Sequence, residues 1–401
     1  MKIIFLLSLF LILNLNATNL TQILSALHET SSAKFIVEKS KADIAKNELD
    51  GTYNPPSFDF SLSHADAIAS EEEDGLEYAL GISQELHHPF ASSSRESAIK
   101  EYKKSIQQET KHELHILELN IASSYHKACI SKEMQEKSKL LYLDQSQRFG
   151  QLERAYNLGE VSKKDLLFSK LDLAKLQQNM SAYNRVYLDE LASLQSLAGS
   201  IVINDLSCGD LLEPQREIQL SAIEEHGELK SLEYKKNASK ANLKMHNSSI
   251  SSLGYEVAYE KELGTRRYTV GVNIPLGSLS SQKEALQVEQ STLNSAYAYE
   301  KVAVQHNIQN YSKMALEKLK VLYDEFTLVE KTILPLSKEL MELSKLALLE
   351  GEGDVMEYLD STRSYSLNLL EMLEIKKNYY TELFELYKIA DIDYGEKVCK
   401  N

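Results

Sequence analysis

The sequence predicts a mainly helical protein that also carries two β-hairpins, built as two copies of one structural unit. Three observations lead to this fold class. The 401 residues include only 6 Pro and 15 Gly, so long helices would meet few breakers. Four short segments alternate between apolar and polar residues, which is the period of half-buried strands. Two landmarks recur about 190 residues apart, which indicates an internal duplication.

The duplication rests on two landmarks that recur with a similar spacing. The segment Tyr78 to Leu86 recurs as Tyr268 to Leu276, with Tyr, Gly and Leu in matching positions. The segment Ala155 to Leu167 recurs as Ala347 to Leu359, where Ala, Gly and Glu match and an acid, a bulky residue and Leu follow. Two independent matches at one spacing are hard to produce by chance, so we expect two structural repeats.

The N-terminus has the layout of a secretory signal peptide, with Lys2, an apolar run over 3–15 and a small residue at Ala17. The run is too short to span a bilayer comfortably, although a retained N-terminal anchor remains the alternative. No later segment offers about 20 consecutive apolar residues, so a mature chain that crosses a membrane would do so as closed β structure. The expected division is a signal peptide at 1–17, a first repeat at 18–200, a linker at 201–214, a second repeat at 215–390 and a tail at 391–401.

Each repeat contains one predicted β-hairpin, at 56–86 and at 252–276. Apolar residues on one face of each hairpin alternate with polar residues on the other, and each strand has about the length that crosses a bilayer when tilted. A soluble hairpin packed on a helix is the alternative. The apolar positions are Phe58, Phe60, Leu62, Leu76, Tyr78, Leu80 and Ile82 in the first hairpin, and Tyr255, Val257, Tyr259, Tyr268, Val270, Val272 and Ile274 in the second.

The remainder of each repeat is predicted to be helical. A helix of about 65 residues would be roughly 100 Å long and must pair along its length with other helices. Pro335 should bend its helix or leave a backbone carbonyl free. The expected helices are Leu20–Leu49, Ser92–Asn157 and Lys163–Ala198 in the first repeat, and Glu217–His246, Ser280–Leu349 and Val355–Ile389 in the second.

Two glycines mark the points where the long helices reverse direction. Gly159 and Gly351 can adopt the positive φ that closes a helix end. Ser162 and Asp354 follow them as candidate N-caps of the returning helices. Each pair therefore predicts a helix-turn-helix tip far from the hairpin of its repeat.

The charge and the cysteines exclude some classes and leave others open. A net charge of -15 argues against a general nucleic-acid binder, which needs a positive surface. In an oxidising compartment a disulfide can form, and we favour a bond between Cys208 in the linker and Cys399 near the C-terminus. Cys129, in a helical segment, is expected to be a small buried residue.

No metal site, cofactor site or catalytic site is predicted. His87 and His88 end a strand, where neighbouring side chains face opposite ways. His112 and His115 could ligate a metal from one helix face, but they lie in a highly charged segment. None of the common nucleophile, metalloprotease or phosphate-loop motifs occurs in the sequence, so an enzyme is the least favoured class.

The order helix, hairpin, long helix, tip and long helix, given twice, resembles the TolC-type outer-membrane factors. Three segments carry the likeness: Arg154 to Ser162 at the first tip, Gly271 to Leu276 at the end of a strand, and Ile333 to Gly351 before the second tip. The resemblance covers the whole mature chain. The length and short linker are most similar to the CzcC-like heavy-metal branch. Leu348 is a departure, because the family usually has an aromatic residue there.

The resemblance implies a homotrimer in outer-membrane lipid. Four strands per subunit would form a twelve-stranded membrane β-barrel, and the coiled-coil helical hairpins would form a periplasmic α-barrel. It also implies two partners, a periplasmic adaptor protein and an inner-membrane transporter. The protein would then be the passive exit duct of a tripartite efflux system for metal cations or drugs.

The resemblance also assigns roles to residues near the tips. Glu357 and Asp360 match two acids that ring the constricted periplasmic entrance in the family, and they lie on one helix face. In the first repeat only Asp165 retains the acid, because the second position is Phe168. The adaptor would dock beside the two tips, at Gly159 and Ser162 and at Gly351 and Asp354.

Two other functions fit parts of the sequence. A type I secretion duct would use the same fold to export proteins. An exported coiled-coil scaffold without a pore would explain the signal peptide and the helical seams. The scaffold would not explain two amphipathic hairpins at matching positions of the repeats.

Overall fold

The elements follow the predicted order in both halves of the chain, as seen in a computed structural model. The structure describes residues 17–49, 55–66, 75–87, 89–199, 201–220, 223–247, 252–274 and 281–394. The predicted signal peptide, apart from Ala17, lies outside these residues, as do His88 and Cys399.

The first half differs from the prediction at its leading helix, which is broken near Thr30 rather than continuous. The Thr30 hydroxyl donates to the carbonyl of Leu27 at 2.7 Å and accepts from the N–H of Ala33 at 3.2 Å, so it ends one turn and caps the next helix. The elements are α1 (Leu20–Ser25), a 3₁₀ turn (Leu27–Glu29), α2 (Ser31–Leu49), β1 (Ser57–Ala65), β2 (Gly75–His87), α3 (Pro89–Leu158) and α4 (Lys163–Ala198).

The second half begins later than predicted. Residues 217–220 are not helical, and the regular helix starts at Gly227 after a 3₁₀ turn. The side chain of His226 accepts from the N–H of Glu228 at 3.3 Å and so supports that start. The elements are a 3₁₀ turn (Ile223–Glu225), α5 (Gly227–Asn247), β3 (Ser252–Glu262), β4 (Thr265–Asn273), α6 (Ser281–Leu328), a π-helical turn (Val329–Ile333), α7 (Leu334–Glu350) and α8 (Val355–Ile389).

The π-helical turn confirms the predicted disturbance at Pro335. Proline has no backbone N–H, so the carbonyl four residues earlier loses its usual helical partner. Just before Pro335, the N–H of Leu334 donates to the carbonyl of Val329, five residues back. The helix therefore passes Pro335 through a wider turn and continues as α7.

The two hairpins form one antiparallel sheet with the order β1-β2-β3-β4. The first hairpin joins the second through the central pair β2–β3, in which Leu80 faces Tyr259. Phe60 faces Leu80 on one side, and Tyr259 faces Tyr268 on the other. One row across the sheet thus carries four large apolar or aromatic side chains on a single face.

The chain divides into two compact units, and each unit combines segments of both repeats. The helical unit comprises Met1–Ile36, Glu113–Ile223 and Asn307–Asn401, and the sheet unit comprises Val37–His112 and Glu224–His306. The predicted repeats therefore describe the order of elements along the chain, whereas folding brings corresponding parts of both repeats together.

The helical unit has a dense aromatic core. Phe384 and Tyr380 of α8 are fully buried, and their rings lie 4.8 Å from the ring of His126 on α3. Burial lowers the pKa of His126 to about 4, so this imidazole is neutral at pH 7. The ring accepts from the N–H of Leu212 at 3.0 Å and contacts the carbonyl of Ala122 at 2.8 Å.

The inter-repeat linker is part of this core rather than a free connection. The hydroxyl of Tyr379 donates to the carbonyl of Gln215 at 2.8 Å, and the hydroxyl of Tyr380 donates to that of Leu212 at 2.5 Å. The ammonium of Lys132 donates to the carbonyl of Leu206 at 2.8 Å. These bonds satisfy the linker backbone where it is removed from water.

The disulfide joins Cys129 to Cys208, with their Cα atoms 5.6 Å apart. The predicted pairing of Cys208 with Cys399 is therefore wrong. The physical reason is the path of the linker, which runs along α3 and brings Cys208 beside the buried Cys129. Within the part of the chain that the structure describes, no helix is long and apolar enough to span a membrane.

Candidate functional site

One face of the four-stranded sheet is apolar and open to its surroundings. Val270 is 80% exposed, Tyr268 75% and Phe58 66%. The register places these side chains on one face, because partners in antiparallel strands lie on the same side. The apolar hairpin positions predicted from the sequence therefore lie together, and no element among the described residues covers most of them.

The opposite face of the sheet is polar and carries paired charges. Arg267 lies 3.1 Å from the carboxylate of Glu260 and 3.3 Å from that of Glu262. Asp59 and Glu256 lie on the same face by strand alternation. A sheet with one apolar exposed face and one polar face suits a wall between a hydrocarbon phase and water.

The first tip closes α3 with Gly159 at φ 79°. The N–H of Gly159 donates to the carbonyl of Tyr156 at 2.9 Å. Ser162 then caps α4, because its side chain accepts from the N–H of Asp165 at 3.2 Å, and the Asp165 carboxylate accepts in return from the backbone N–H of Ser162 at 3.3 Å. This reciprocal pair is a capping box, which gives Asp165 a local structural partner.

The second tip uses two glycines where the sequence indicated one. Gly351 has φ 79°, which the prediction required. At Gly353 a Cβ atom would lie 2.8 Å from the backbone nitrogen of Leu348, so a larger residue does not fit. Asp354 caps α8 by accepting from the N–H of Met356 at 3.2 Å. The short spacing of the two glycines was the signal in the sequence that the prediction did not use.

The two predicted gate acids lie at the start of α8, and both are exposed. Asp360 accepts from the guanidinium of Arg363 at 3.2 Å. Within the described ranges, Glu357 has no ion pair. The carboxylate of Glu357 thus remains available to a partner or an ion near the second tip, whereas that of Asp360 already has the guanidinium of Arg363 beside it.

A polar network beside these acids links α8 to α3 and α4, and the prediction missed it. Arg363 also binds the carboxylate of Asp172 on α4, whose side chain is only 10% exposed. Arg148 of α3 donates to the hydroxyl of Thr362 at 2.8 Å and stacks 4.7 Å from the ring centroid of Tyr358. A cavity of about 240 Å³ lies among these groups. No local pattern marks Asp172 as a buried acid, because its partner Arg363 lies 191 residues further along the chain.

In the long helix before the second tip, apolar residues recur every three or four positions over 316–347, and only some of them are buried. Leu319, Phe326 and Val329 are within the core, whereas Leu336 and Leu340 are 60% and 51% exposed. A second set of exposed leucines lies on α4, at Leu167, Leu171 and Leu188. The apolar stripes on α4 and α7 lack a partner within the described chain.

The histidines do not gather into a metal site. The rings of His112 and His226 lie 5.2 Å apart. Across the residues with described positions, no group of three metal-ligating side chains is brought together. His115 lies between Glu118 and Asp391. Burial alone would lower the pKa of its imidazole, but the hydrogen bond to Glu118 and the negative charge of Asp391 raise this pKa by a larger amount. The net result is a pKa above the usual range. His112 therefore lies beside another histidine ring, whereas His115 lies beside two carboxylates.

Similar solved structures are outer-membrane proteins. A membrane protein from Pseudomonas aeruginosa is 12% identical with a TM-score of 0.78, over 92% of each chain. The CmeC outer membrane channel of Campylobacter jejuni is 14% identical with a TM-score of 0.76, over 95% of this chain and 88% of that chain. The outer membrane protein VceC of Vibrio cholerae is 10% identical with a TM-score of 0.74, over 92% of this chain and 95% of that chain.

The chain has the fold of the outer-membrane channels. No protein-family model and no curated protein matches the sequence, and identities this low establish the fold alone. The expected fold class, long helical hairpins with four strands per subunit, is confirmed. The sequence-based prediction located both tips and both hairpins of this fold. It did not identify Gly353, Asp172 or Arg363 as residues of the site.

Proposed function

We propose that this protein is the outer-membrane exit duct of a tripartite efflux system. The observation that carries the proposal is the exposed apolar face of the sheet, because burying this face in lipid removes it from water. Four strands are too few to close a barrel, and open strand edges are not tolerated in hydrocarbon. Three copies would supply twelve strands and leave no edge.

The exposed leucine stripes support the same homotrimer. Leucines on α4 and α7 are not covered by any other described segment of one chain, and paired helices bury such stripes against neighbours. Packing between subunits would continue the β-barrel as an α-helical tunnel in the periplasm. The predicted signal peptide agrees with export to that compartment.

The acids near the second tip are proposed to form the periplasmic entrance. Threefold symmetry would bring three copies of Glu357 and three of Asp360 close together. A ring of carboxylates favours cations over anions. The structure gives Asp165 a capping role, so this gate rests on the two acids of α8.

The partners follow from the passive nature of a duct. A periplasmic adaptor and an inner-membrane transporter would deliver the cargo, which we propose to be metal cations or drugs. The adaptor would dock at the tips formed by Gly159 and Ser162 and by Gly351 and Asp354. Leu158 and Leu349, which are 75% and 74% exposed beside these glycines, offer apolar contacts for it.

The central experiment purifies the full chain and records single channels in planar bilayers. We expect a detergent-dependent trimer that inserts and conducts ions. A protein that stays monomeric in water without detergent and never conducts would refute the duct.

The gate is tested with Glu357→Gln combined with Asp360→Asn. We expect the preference of the channel for cations to fall several-fold, because six carboxylates of the trimer become neutral. The matched control is Glu371→Gln with Glu374→Gln, two exposed acids with the same spacing on α8. The permeability ratio of K⁺ to Cl⁻ decides the result, and equal ratios in both double variants would remove the gate assignment.

A further inference from the structure

The apolar face of the sheet ends in a pair of basic side chains at the turn that joins β3 to β4. Lys261 and Arg266 face each other across this turn, and both are exposed. Lys261 also faces Tyr78 of the neighbouring strand. Strand alternation therefore places both cations on the same face as the apolar residues.

These two cations differ from the arginine beside them. Arg267 points to the polar face and is neutralised by Glu260 and Glu262. Lys261 has the ring of Tyr78 at 5.9 Å. Among the described residues, neither Lys261 nor Arg266 has a carboxylate partner. His64 is the remaining basic residue of this face, and Asp66 lies 3.1 Å from it.

Tyrosine rings lie level with the two cations and in the next row toward the aliphatic part of the face. Tyr259 lies between Tyr78 and Tyr268, with ring centroids at 6.0 Å and 5.1 Å. Tyrosines of this kind lie at the boundary between hydrocarbon and polar headgroups. The cations beside these rings would lie at the depth of the headgroups.

The dimensions of the face agree with that depth. From Tyr78, which is level with Lys261, to Leu86, β2 advances about 26 Å at 3.3 Å per residue, and strand tilt reduces this to about 20 Å, slightly less than the roughly 25 Å of a membrane-embedded apolar band. At the other end of the same face, the described side chains include Gln84, Tyr255 and Val272 but no cation. Within the described residues, this face therefore carries cations at its turn end and none at the opposite end.

We propose that Lys261 and Arg266 bind the phosphate of a lipid headgroup in the leaflet at the hairpin-turn end of the sheet. The proposal rests on the proposed function, since it requires the sheet to lie in a membrane. A guanidinium can donate two parallel hydrogen bonds to a phosphate, and an adjacent ammonium adds a second charge. The ligand class is a phosphorylated lipid, held by its chains against the tyrosines and by its phosphate against the cations.

The test measures binding to the detergent-purified full-length protein by native mass spectrometry at low salt. The probes are a bisphosphorylated glucosamine-disaccharide lipid, the same lipid without its phosphates, and inorganic phosphate. Each cation near an anionic lipid is worth about fivefold in affinity, so Lys261→Gln with Arg266→Gln should weaken binding of the phosphorylated lipid about 30-fold. Inorganic phosphate alone should bind far more weakly, because it lacks the acyl chains.

Two control variants make the result decisive. Arg267→Gln removes one cation from the opposite face and should leave lipid binding unchanged. Lys261→Arg with Arg266→Lys retains both charges and should restore most of the affinity. Equal binding of both lipids by the natural protein, or equal loss in Arg267→Gln, would overturn the proposal. If either outcome occurs in a protein that still inserts into bilayers and conducts ions, only the lipid-binding site is refuted. If the protein does not insert into bilayers, the proposed duct is refuted.

Discussion

The core of the helical unit and the outer face of the sheet use the same residue types in opposite environments. Tyr380 and Phe384 are 0% exposed, whereas Tyr268 and Phe58 are 75% and 66% exposed. In the core, each ring touches other rings, and the tyrosine hydroxyl donates to a backbone carbonyl. On the sheet, the rings have neighbours only along the surface. Apolar residues thus form a buried core in the helical unit, whereas on the sheet they form an exposed surface that suits contact with a hydrocarbon phase.

The largest effect is expected from truncating the buried aromatic residue. Phe384→Ala should lower the free energy of unfolding of the helical unit by about 3–5 kcal/mol, because a cavity remains in a packed core. The exposed counterpart, Phe58→Ala, should change it by less than about 0.5 kcal/mol. Urea unfolding followed by the helical circular-dichroism signal measures both. Similar losses in the two variants would contradict the distinction between the regions.

The buried imidazole provides a pH-dependent test of the same core. Because the pKa of His126 is lowered to about 4, the unfolded chain binds a proton between about pH 6.5 and pH 4 while the folded chain does not. The free energy of unfolding should therefore be highest above pH 6.5 and fall by about 3 kcal/mol as the pH approaches 4.

The control for this prediction is His126→Gln, which retains a polar side chain without a titrating group. Urea unfolding between pH 7 and pH 4 should show a smaller decline in this variant than in the natural protein, although the variant is less stable at pH 7. Parallel curves for the two proteins would mean that other groups cause the decline.

The smallest expected effect concerns the exposed face. Phe60→Arg places a charge among the apolar side chains of β1 and should make insertion into liposomes less favourable by about 1 kcal/mol, because Phe60 shares its row with Tyr259 near the edge of the apolar band. Ser61→Arg, one residue further along, presents the same charge on the polar face and should leave insertion unchanged. Folding into lipid vesicles, followed by protease protection, distinguishes them. An equal effect of both would show that the apolar face does not contact lipid.

Local signals located the tips and hairpins well. The helices Lys163–Ala198 and Val355–Ile389 begin where predicted, because Ser162 and Asp354 cap them within the first turn. Strand alternation also assigned both sheet faces, since a period of two needs no tertiary information. These features depend on residues within a few positions of one another.

The features that the sequence did not predict depend on contacts between distant segments. The partner of Cys208 depends on the path of the linker along α3, which is held by bonds such as that from Lys132 to Leu206. Asp172 and Arg363 are 191 residues apart, so nothing local links them. The late start of α5 likewise reflects where the preceding chain packs rather than its helix propensity.

The bond between Cys129 and Cys208 encloses a covalent loop of the first repeat that contains the tip at Gly159. A protease that nicks this tip would leave both fragments joined until a reductant is added. The tip at Gly351 lies outside the loop, so one cut there would release a C-terminal fragment from the covalent chain under denaturing conditions. Electrophoresis with and without a thiol would therefore report which of the two helical turns had been cut.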